Sequence, residues 1–388
     1  MSERWPGKTV IGLTGNIASG KSVVRRMLEH LGTFSIDADA LVHRAMSPGA
    51  PAHKPVVEWF GKWILDDSGR INRGRLGKVA FSDPLAMAIL EKITHPIVGQ
   101  VIDLLIRRAT QSIVVIEAIK LMEAGLADDC DAVWVVDAPT DVRLQRLMSE
   151  RDMSEAEARQ RIESQPSQAD KLARADFIVN NADGYEVTFN QVQAGLARYM
   201  RGIGVEPPVS EAPVEPTVEA EAPSPEMKVS VYRGGPQHAD VIAEFINLQT
   251  GTALDQTSVL QRFGQKAYMM AYSGNQVVGL AGWQVENLIA RIDEFMLQPN
   301  IPAQSVVGSL MNKIEKAAND LQSEIVLLFL AADAPDTTRQ AVLEKGYEII
   351  EAEELRIPDW REAAEESAPP DSILAFKRLR EDRVLKPI

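Results

Sequence analysis

The chain has 388 residues, which is too long for one ordinary domain, and its 45% apolar and 25% charged residues are typical of a soluble globular protein. Its 55 acidic against 41 basic side chains give a formal net charge of −14, which argues against a nucleic acid or an anionic membrane as the main partner. A single cysteine, Cys130, excludes an intramolecular disulfide. We see no signal-peptide pattern and no apolar run long enough to span a bilayer, so we predict a cytoplasmic protein.

Residues 8–31 have the pattern of a phosphate-binding loop between a strand and a helix. Gly15, Gly20, Lys21 and Ser22 have the Walker A spacing, in which glycines let successive backbone N–H groups point at one phosphate chain. A glycine-rich turn could match this pattern by chance, but an apolar strand over residues 9–13 and an amphipathic helix after Ser22 supply the context that the motif needs. We therefore predict a P-loop for ATP and Mg²⁺.

In such a loop Lys21 is expected to reach the β- and γ-phosphates, and the hydroxyl of Ser22 is expected to bind Mg²⁺. The nucleotide-binding residues predicted from the motif are Gly15, Asn16, Ile17, Ala18, Ser19, Gly20, Lys21 and Ser22.

Two carboxylates, Asp37 and Asp39, follow a second short strand that we predict over residues 34–36. In a parallel sheet the carboxyl ends of the strands meet at one edge, so these side chains are expected to face the same crevice as the P-loop. The alternative is that one of them caps the N-terminus of the next helix, and Asp37 could do both.

A P-loop followed about fifteen residues later by Asp-Ala-Asp resembles the dephospho-coenzyme A kinase family. Further resemblance lies in SPGAP, WFG, GRINRGRL, AFSDP and LEKITHP between residues 47 and 98, and in RLMSERDMSEAEARQRIESQ and KLARADFIVNN between 143 and 181. The resemblance covers residues 8 to about 200. It implies an α/β domain with a P-loop-type parallel sheet, a helical lid and a helical substrate region, which transfers the γ-phosphate of ATP to the 3′-hydroxyl of dephospho-coenzyme A.

The resemblance also implies roles for individual residues. Asp39 would be the catalytic base, and Asp37 would orient the site or approach Mg²⁺ through water. The lid arginines that would close over ATP are Arg151, Arg159 and Arg161. Each of them could instead be a solvated helix residue. The substrate-side candidates are Arg44, Arg73 and His95; His95 could equally be structural, and Pro96 would start a long helix.

The chain departs from the family pattern in the loop and at one strand end. Asn16 and Ala18 stand where the family usually has glycine; we expect Ala18 to take only an ordinary φ, whereas asparagine tolerates left-handed angles. Residues 117–126 read EAIKLMEAGL where a Pro-Leu-Leu-Phe-Glu run is common, and Lys120 replaces an apolar position. This strand end shapes the substrate cleft, so another small-molecule acceptor stays open as an alternative. A non-catalytic coenzyme A sensor is a second alternative, although a sensor has no use for Lys21, Ser22 and Asp39.

Residues 203–226, rich in Pro and Glu, predict a semi-stiff linker between a kinase-like domain of residues 1–202 and a second domain of residues 227–388. The second domain reads as strand, helix, hairpin, strand, helix, strand, short helix and strand, and this α+β order resembles the GNAT acetyltransferases. Its hairpin is AYMMAYSGNQVVGLAGWQVEN.

The resemblance of the second domain is weakest at the coenzyme-binding turn. Val307 stands where the first glycine of that turn belongs, and a β-branched residue does not readily take φ > 0. We therefore predict a degenerate module that binds coenzyme A, acyl-coenzyme A or a partner without acetyl transfer. Trp283, Tyr347, Met269 and Met270 are predicted core residues.

Overall fold

The computed structural model describes residues 4–202 and 228–381, and these fall into two compact units. The first contains residues 4–29 and 33–183, and the second contains residues 30–32, 184–202 and 228–381. The predicted linker lies outside the described residues. Residues 185–202, placed by the sequence in the first domain, group with the second unit; the domain limits of 1–202 and 227–388 stay predictions.

The first unit is built on a parallel sheet, as predicted. Its strands are β1 (Thr9–Thr14), β2 (Phe34–Asp37), β3 (Ile113–Glu117), β4 (Ala132–Asp137) and β5 (Phe177–Asn180). The order across the sheet is β2-β3-β1-β4-β5, and every neighbouring pair is parallel. All residues of β1 and β3 are buried, which explains why these strands read as continuous apolar runs without alternation.

Helices connect the strands of the first sheet and form its substrate and lid regions. They are α1 (Lys21–His30), α2 (Ala38–Ala45), α3 (His53–Phe60), α4 (Arg73–Ser82), α5 (Pro84–Arg108), α6 (Thr140–Arg151), α7 (Glu155–Glu163) and α8 (Gln168–Ala173). Because α1 begins directly after the loop of residues 15–20, the P-loop lies at a helix N-terminus, as the motif predicts.

Helix α5 corrects two sequence predictions. Pro96 lies inside the helix and does not start it; the start is Pro84, where the side chain of Asp83 accepts the N–H of Leu85 at 2.9 Å. By length and composition, α5 is also the one helix in the described part of the chain that could cross a membrane, so the expectation of no such run was wrong. Its most buried apolar residues, Ile102, Leu105 and Ile106, belong to the core of the first unit.

The second unit is a mixed sheet with helices. Its strands are β6 (Ser230–Gly234), β7 (Ala267–Ser273), β8 (Gln276–Glu286), β9 (Ile289–Leu297), β10 (Ile325–Ala331), β11 (Glu348–Ile349) and β12 (Ser372–Arg378). Its helices are α9 (Tyr185–Gly202), α10 (Ala239–Thr250), α11 (Gln256–Phe263), α12 (Ala303–Asp320), α13 (Asp336–Glu344) and α14 (Pro358–Ser367). The strand order is β11-β12-β10-β9-β8-β7-β6, and only β9 and β10 pair in parallel.

The predicted hairpin is β7–β8, joined at the pair Ser273–Gln276 through Gly274 at φ +57°. Trp283, Tyr347, Met269 and Met270 are all at most 3% exposed, so their assignment to the core is confirmed. The sequence reading missed α11, α14 and the two-residue strand β11. The strands β9 and β10 pair only over residues 289–292 and 325–328, although both continue further, so they diverge towards their carboxyl ends.

Candidate active site

The P-loop runs from Gly15 to Gly20 between β1 and α1, and both glycines occupy conformations that a side chain would not allow. Gly15 has φ +152° and Gly20 has φ +91°. A Cβ on Gly20 would overlap the side-chain nitrogen of Asn181, and one on Gly15 would meet the carbonyl oxygen of Val136. The glycines are therefore required both by their backbone angles and by close neighbours.

Ala18 corrects a prediction about this loop. It takes φ +58°, in the left-handed region, whereas Asn16 does not have a positive φ. Alanine pays roughly 1 kcal/mol or more for this angle, so the surrounding contacts must hold the loop in place.

Two glutamines from the segment after α7 contact the start of the loop. Gln165 Oε1 accepts the N–H of Ile17 at 2.6 Å, and Gln168 Oε1 accepts the N–H of Asn16 at 3.2 Å. In return, Asn16 Nδ2 donates to the carbonyl of Pro166 at 2.9 Å. The lid-region segment is thus bound directly to the first residues of the P-loop.

Carbonyl groups of the loop are held by cations from α6. Arg143 Nε donates to the Ile17 carbonyl at 3.0 Å, and Arg146 Nη1 donates to that of Ala18 at 3.2 Å. Asn181 Nδ2, beyond β5, donates to the carbonyl of Ser19 at 2.8 Å. The sequence reading did not single out these donors, although all three lie in the stretch that carries the family resemblance.

Lys21 is buried at the first position of α1, among carboxylates. Burial lowers the pKa of its ammonium, and Glu117, Asp39 and Asp37 oppose that shift. The pKa of Glu117 is raised by its own burial, against the nearby Arg25. These charges form one cluster at the carboxyl edge of the sheet, where the sequence predicted a ligand crevice.

Glu117 and Arg25 are residues that the sequence reading missed, and both are only 5% exposed. Arg25 Nε donates to Glu117 Oε2 at 2.7 Å, and Arg25 Nη1 pairs with Glu29 at 2.8 Å. The other carboxylate oxygen of Glu117 accepts the hydroxyl of Ser22 at 3.2 Å. Glu117 is the last residue of β3, so a carboxylate at the end of an apolar strand could have identified it from the sequence.

Asp37 and Asp39 have different contacts. Asp37 Oδ1 accepts the N–H of Ala40 at 2.8 Å and caps α2, so the capping reading of Asp37 is correct. Asp39 Oδ2 accepts the N–H of Ile119 at 2.9 Å, in the segment that departs from the family pattern. Burial raises the pKa of Asp39, while the Ile119 hydrogen bond and the charges of Lys21 and Lys171 oppose the shift.

The lid arginines differ in what they contact. Arg151, the last residue of α6, is exposed yet near enough to lower the pKa of Lys21 by its charge. Arg159 is exposed on α7 and pairs with Glu155 at 2.7 Å, as a solvated helix arginine would. Arg161 is also exposed on α7. The structure therefore brings Arg151, but neither α7 arginine, into the charged cluster.

The substrate-side candidates lie on three different helices. Arg44 is 5% exposed on α2, Arg73 is exposed at the first position of α4, and His95 is exposed within α5. Contacts of α2 and α4 with α5 place these helices side by side. Their roles as ligands stay predictions.

The family model described as dephospho-CoA kinase matches residues 9–186. A protein named dephospho-CoA kinase from Moorella thermoacetica is 38% identical over 208 residues, which cover 53% of this chain and 98% of that protein. The chain belongs to the dephospho-CoA kinase family.

Among solved structures, the dephospho-CoA kinase of Campylobacter jejuni is 27% identical, with a TM-score of 0.39, covering 50% of this chain and 98% of that one. A GNAT-family acetyltransferase from Staphylococcus aureus is 12% identical, with a TM-score of 0.32, covering 39% of this chain and 100% of that one. In this member of the kinase family, the P-loop, Asp37, Asp39 and the β3 end all lie inside the matched residues.

Val307 is the residue that, from the sequence, we expected to disfavour a coenzyme-binding turn in the second unit. It is fully buried in α12, which already begins at Ala303, so the segment is regular helix in this kinase-family chain. The segment around Val307 is therefore packed helix and not a glycine turn.

Proposed function

We propose that the chain transfers the γ-phosphate of ATP to the 3′-hydroxyl of dephospho-coenzyme A. One observation carries the proposal: a buried P-loop lysine, Lys21, and a carboxylate fixed by a backbone N–H, Asp39, share one charged cluster at the carboxyl edge of the sheet. Phosphoryl transfer needs that pair, because one group stabilises charge on the phosphates and the other receives the proton of the attacking hydroxyl.

In this mechanism Asp39 is the general base, because its Oδ1 is not used by the Ile119 hydrogen bond and its raised pKa makes it a better proton acceptor. Glu117 is a poorer candidate, since both its oxygens already accept hydrogen bonds from Arg25 and Ser22. Asp37 orients α2 as its cap and contributes negative charge beside Lys21.

The phosphates are assigned to the later part of the P-loop. The N–H groups of Asn16 and Ile17 are occupied by the two glutamines, and the N–H of Ser19 donates to the Asn16 carbonyl at 3.2 Å. The remaining donors are the N–H groups at Ala18 and at the start of α1, where the helix dipole also favours an anion. Arg151 adds positive charge from the lid side.

Mg²⁺ fits the residues present. Ser22 is exposed at the start of α1, and its hydroxyl faces the carboxylate of Glu117, so the donors are oxygens, which Mg²⁺ prefers. We propose that Ser22 holds the ion together with the phosphates, and that Asp37 acts through water. When bound, Mg²⁺ would neutralise charge on the β- and γ-phosphates.

The test is a transfer assay with purified protein, ATP and Mg²⁺ and a panel of acceptors. The expected result is phosphorylation of dephospho-coenzyme A at its ribose 3′-hydroxyl, which gives coenzyme A. Transfer only to a different small molecule would identify another P-loop kinase, and binding of coenzyme A without any transfer would identify a sensor. Either outcome overturns the proposal. A soluble, cytoplasmic location is proposed with it, and recovery of the native protein in a membrane fraction would contradict that location.

For the second unit we propose binding of coenzyme A or acyl-coenzyme A without acetyl transfer. The diverging carboxyl ends of β9 and β10 leave facing strand edges that an extended, amide-containing chain could pair with. Titration of the full chain with coenzyme A should show two binding sites, of which one is insensitive to Lys21→Ala. A single site, or acetyl transfer to amines, would contradict this.

A further inference from the structure

The main chain of Ile119 is held both at its N–H and at its carbonyl oxygen, which belong to two successive peptide groups joined at its Cα, and the N–H holds the proposed base. Its N–H donates to Asp39 Oδ2 at 2.9 Å. Its carbonyl oxygen accepts the ammonium of Lys171 at 2.8 Å and the hydroxyl of Thr14 at 3.2 Å. Ile119 lies two residues beyond the end of β3, where the sheet pairing no longer includes it.

Lys171 is an unusual residue for a helix of the lid region. It lies on α8 and is only 2% exposed, and its ammonium donates to a main-chain carbonyl and not to a carboxylate. Burying an ammonium in this way costs several kcal/mol unless the group is well bonded.

The charges around this bond are arranged so that Lys171 favours an ionised base. Burial lowers the pKa of Lys171; Glu123 and Asp39 oppose that shift, and Lys21 and Arg143 add to it. Around Asp39, its neighbour Asp37 disfavours a second negative charge, while Lys21 and Lys171 favour it.

We propose that Lys171 is a positioning residue: by holding the carbonyl of Ile119 it restricts the backbone angles of that residue and so fixes the direction of its N–H, which holds the carboxylate of Asp39. Asp39 lies 80 residues before Ile119, and Lys171 lies 52 residues after it, so Ile119 is the residue at which α2, the β3 end and α8 meet. This inference rests on the proposed role of Asp39 as the base. Both hydrogen bonds use main-chain groups of Ile119. They can therefore form in the segment after β3 even though it departs from the family's Pro-Leu-Leu-Phe-Glu run.

The decisive experiment is a double-mutant cycle on the full chain with Lys171→Met and Asp39→Asn. Lys171→Met should lower kcat with dephospho-coenzyme A by about 10- to 100-fold, the range for one hydrogen bond to a charged group, with KM for ATP changed less than about twofold. In the Asp39→Asn background the same substitution should lower kcat by less than about twofold, because a residue that acts through Asp39 has nothing left to act on. Full, additive loss would overturn the proposal.

Lys8→Met is the matched control. Lys8 is also a lysine whose ammonium donates to main-chain carbonyls, those of Ala109 at 2.6 Å and Gln111 at 2.8 Å, but it lies just before the opposite end of β1. Its loss should leave kcat unchanged. If Lys171→Met does not fold, Thr14→Val removes the other donor to Ile119 with little change in shape. It should lower kcat by about threefold, again without effect in the Asp39→Asn background.

A second readout does not depend on activity. Hydrogen exchange of the Ile119 amide should be at least about 10-fold faster in Lys171→Met than in the unmodified chain or in Lys8→Met. Unchanged exchange overturns the positioning role even if the chain phosphorylates an acceptor. Faster exchange in a chain that transfers no phosphate to dephospho-coenzyme A would instead show that the positioning holds and that the proposed acceptor is wrong.

Discussion

The substitution Asp39→Asn tests the proposed base with little disturbance of the fold. The amide oxygen of asparagine can still accept the N–H of Ile119, which lies 2.9 Å from Asp39 Oδ2, so the side chain should keep its place. What it loses is the negative charge and the ability to take a proton. Loss of a general base typically costs about 10²- to 10⁴-fold in turnover, or roughly 2.7–5.4 kcal/mol of barrier. We expect kcat to fall by at least about 100-fold.

The same substitution should raise the free energy of unfolding at neutral pH. Burial raises the pKa of Asp39, so the folded chain holds this proton more tightly than the unfolded chain does. Stability from this group is therefore complete below the unfolded pKa, near 3.9, and is lost as the pH rises through the folded pKa. Asparagine carries no charge and avoids this loss, so the melting temperature at pH 7 should increase while activity falls.

Turnover would be followed as ADP release at saturating ATP and dephospho-coenzyme A, and stability by thermal melting at pH 7. Asp37→Asn is the matched control, since asparagine also caps helices well and should preserve the bond to Ala40. Near-normal turnover in Asp39→Asn together with an inactive Asp37→Asn would transfer the base to Asp37. A lower melting temperature in Asp39→Asn would refute the argument from burial.

Lys21→Ala should lower kcat by at least about 100-fold and leave a folded chain, because it removes a charge that acts on the phosphates; turnover within tenfold of normal would contradict this. Arg25→Met should destabilise the first unit by about 3–5 kcal/mol in urea unfolding, since it leaves the carboxylate of Glu117 buried without its cation. Adding Glu117→Gln should recover most of that loss, and no recovery would refute the ion-pair argument. Cutting the chain within residues 206–224 and purifying the N-terminal part should give a fragment whose turnover is within about threefold of the full chain, because all five kinase-unit strands precede the cut. An insoluble or inactive fragment would show that the kinase unit depends on residues after the cut.

The sequence predicted those parts of the fold and site that are local. The P-loop spacing, the strand before Asp37 and the β7–β8 hairpin each depend on a few neighbouring residues, and the structure places them as expected. The left-handed angle at Ala18 was missed because bonds from distant residues such as Arg146 hold the loop, and these override local preference. Helix α11 was missed because it has only eight residues, so few positions carry its apolar pattern.

The contacts of Asp39 and of the glutamines could not be read from spacing. Ile119 lies 80 residues from Asp39, and Gln165 lies 148 residues from Ile17, so each contact exists only after parallel strands bring their ends together. The pair β2–β3 would have indicated the first contact had the strand order been known. Pro96 misled because proline is favoured at helix starts, whereas α5 continues through Pro96 and its buried residues after the proline pack in the core.

Pro96 divides α5 into a first half whose residues are mostly outside the core and a second half whose residues form part of the core. After the proline, Val98, Val101, Ile102, Leu105 and Ile106 are buried, so substitutions there would weaken the core. Before it, only Ala86 and Thr94 are buried, and Leu85 is 67% exposed. Replacements at the exposed positions of this first half should have little effect on folding. The first half of α5 can therefore diverge over evolutionary time without loss of the folded core of the first unit.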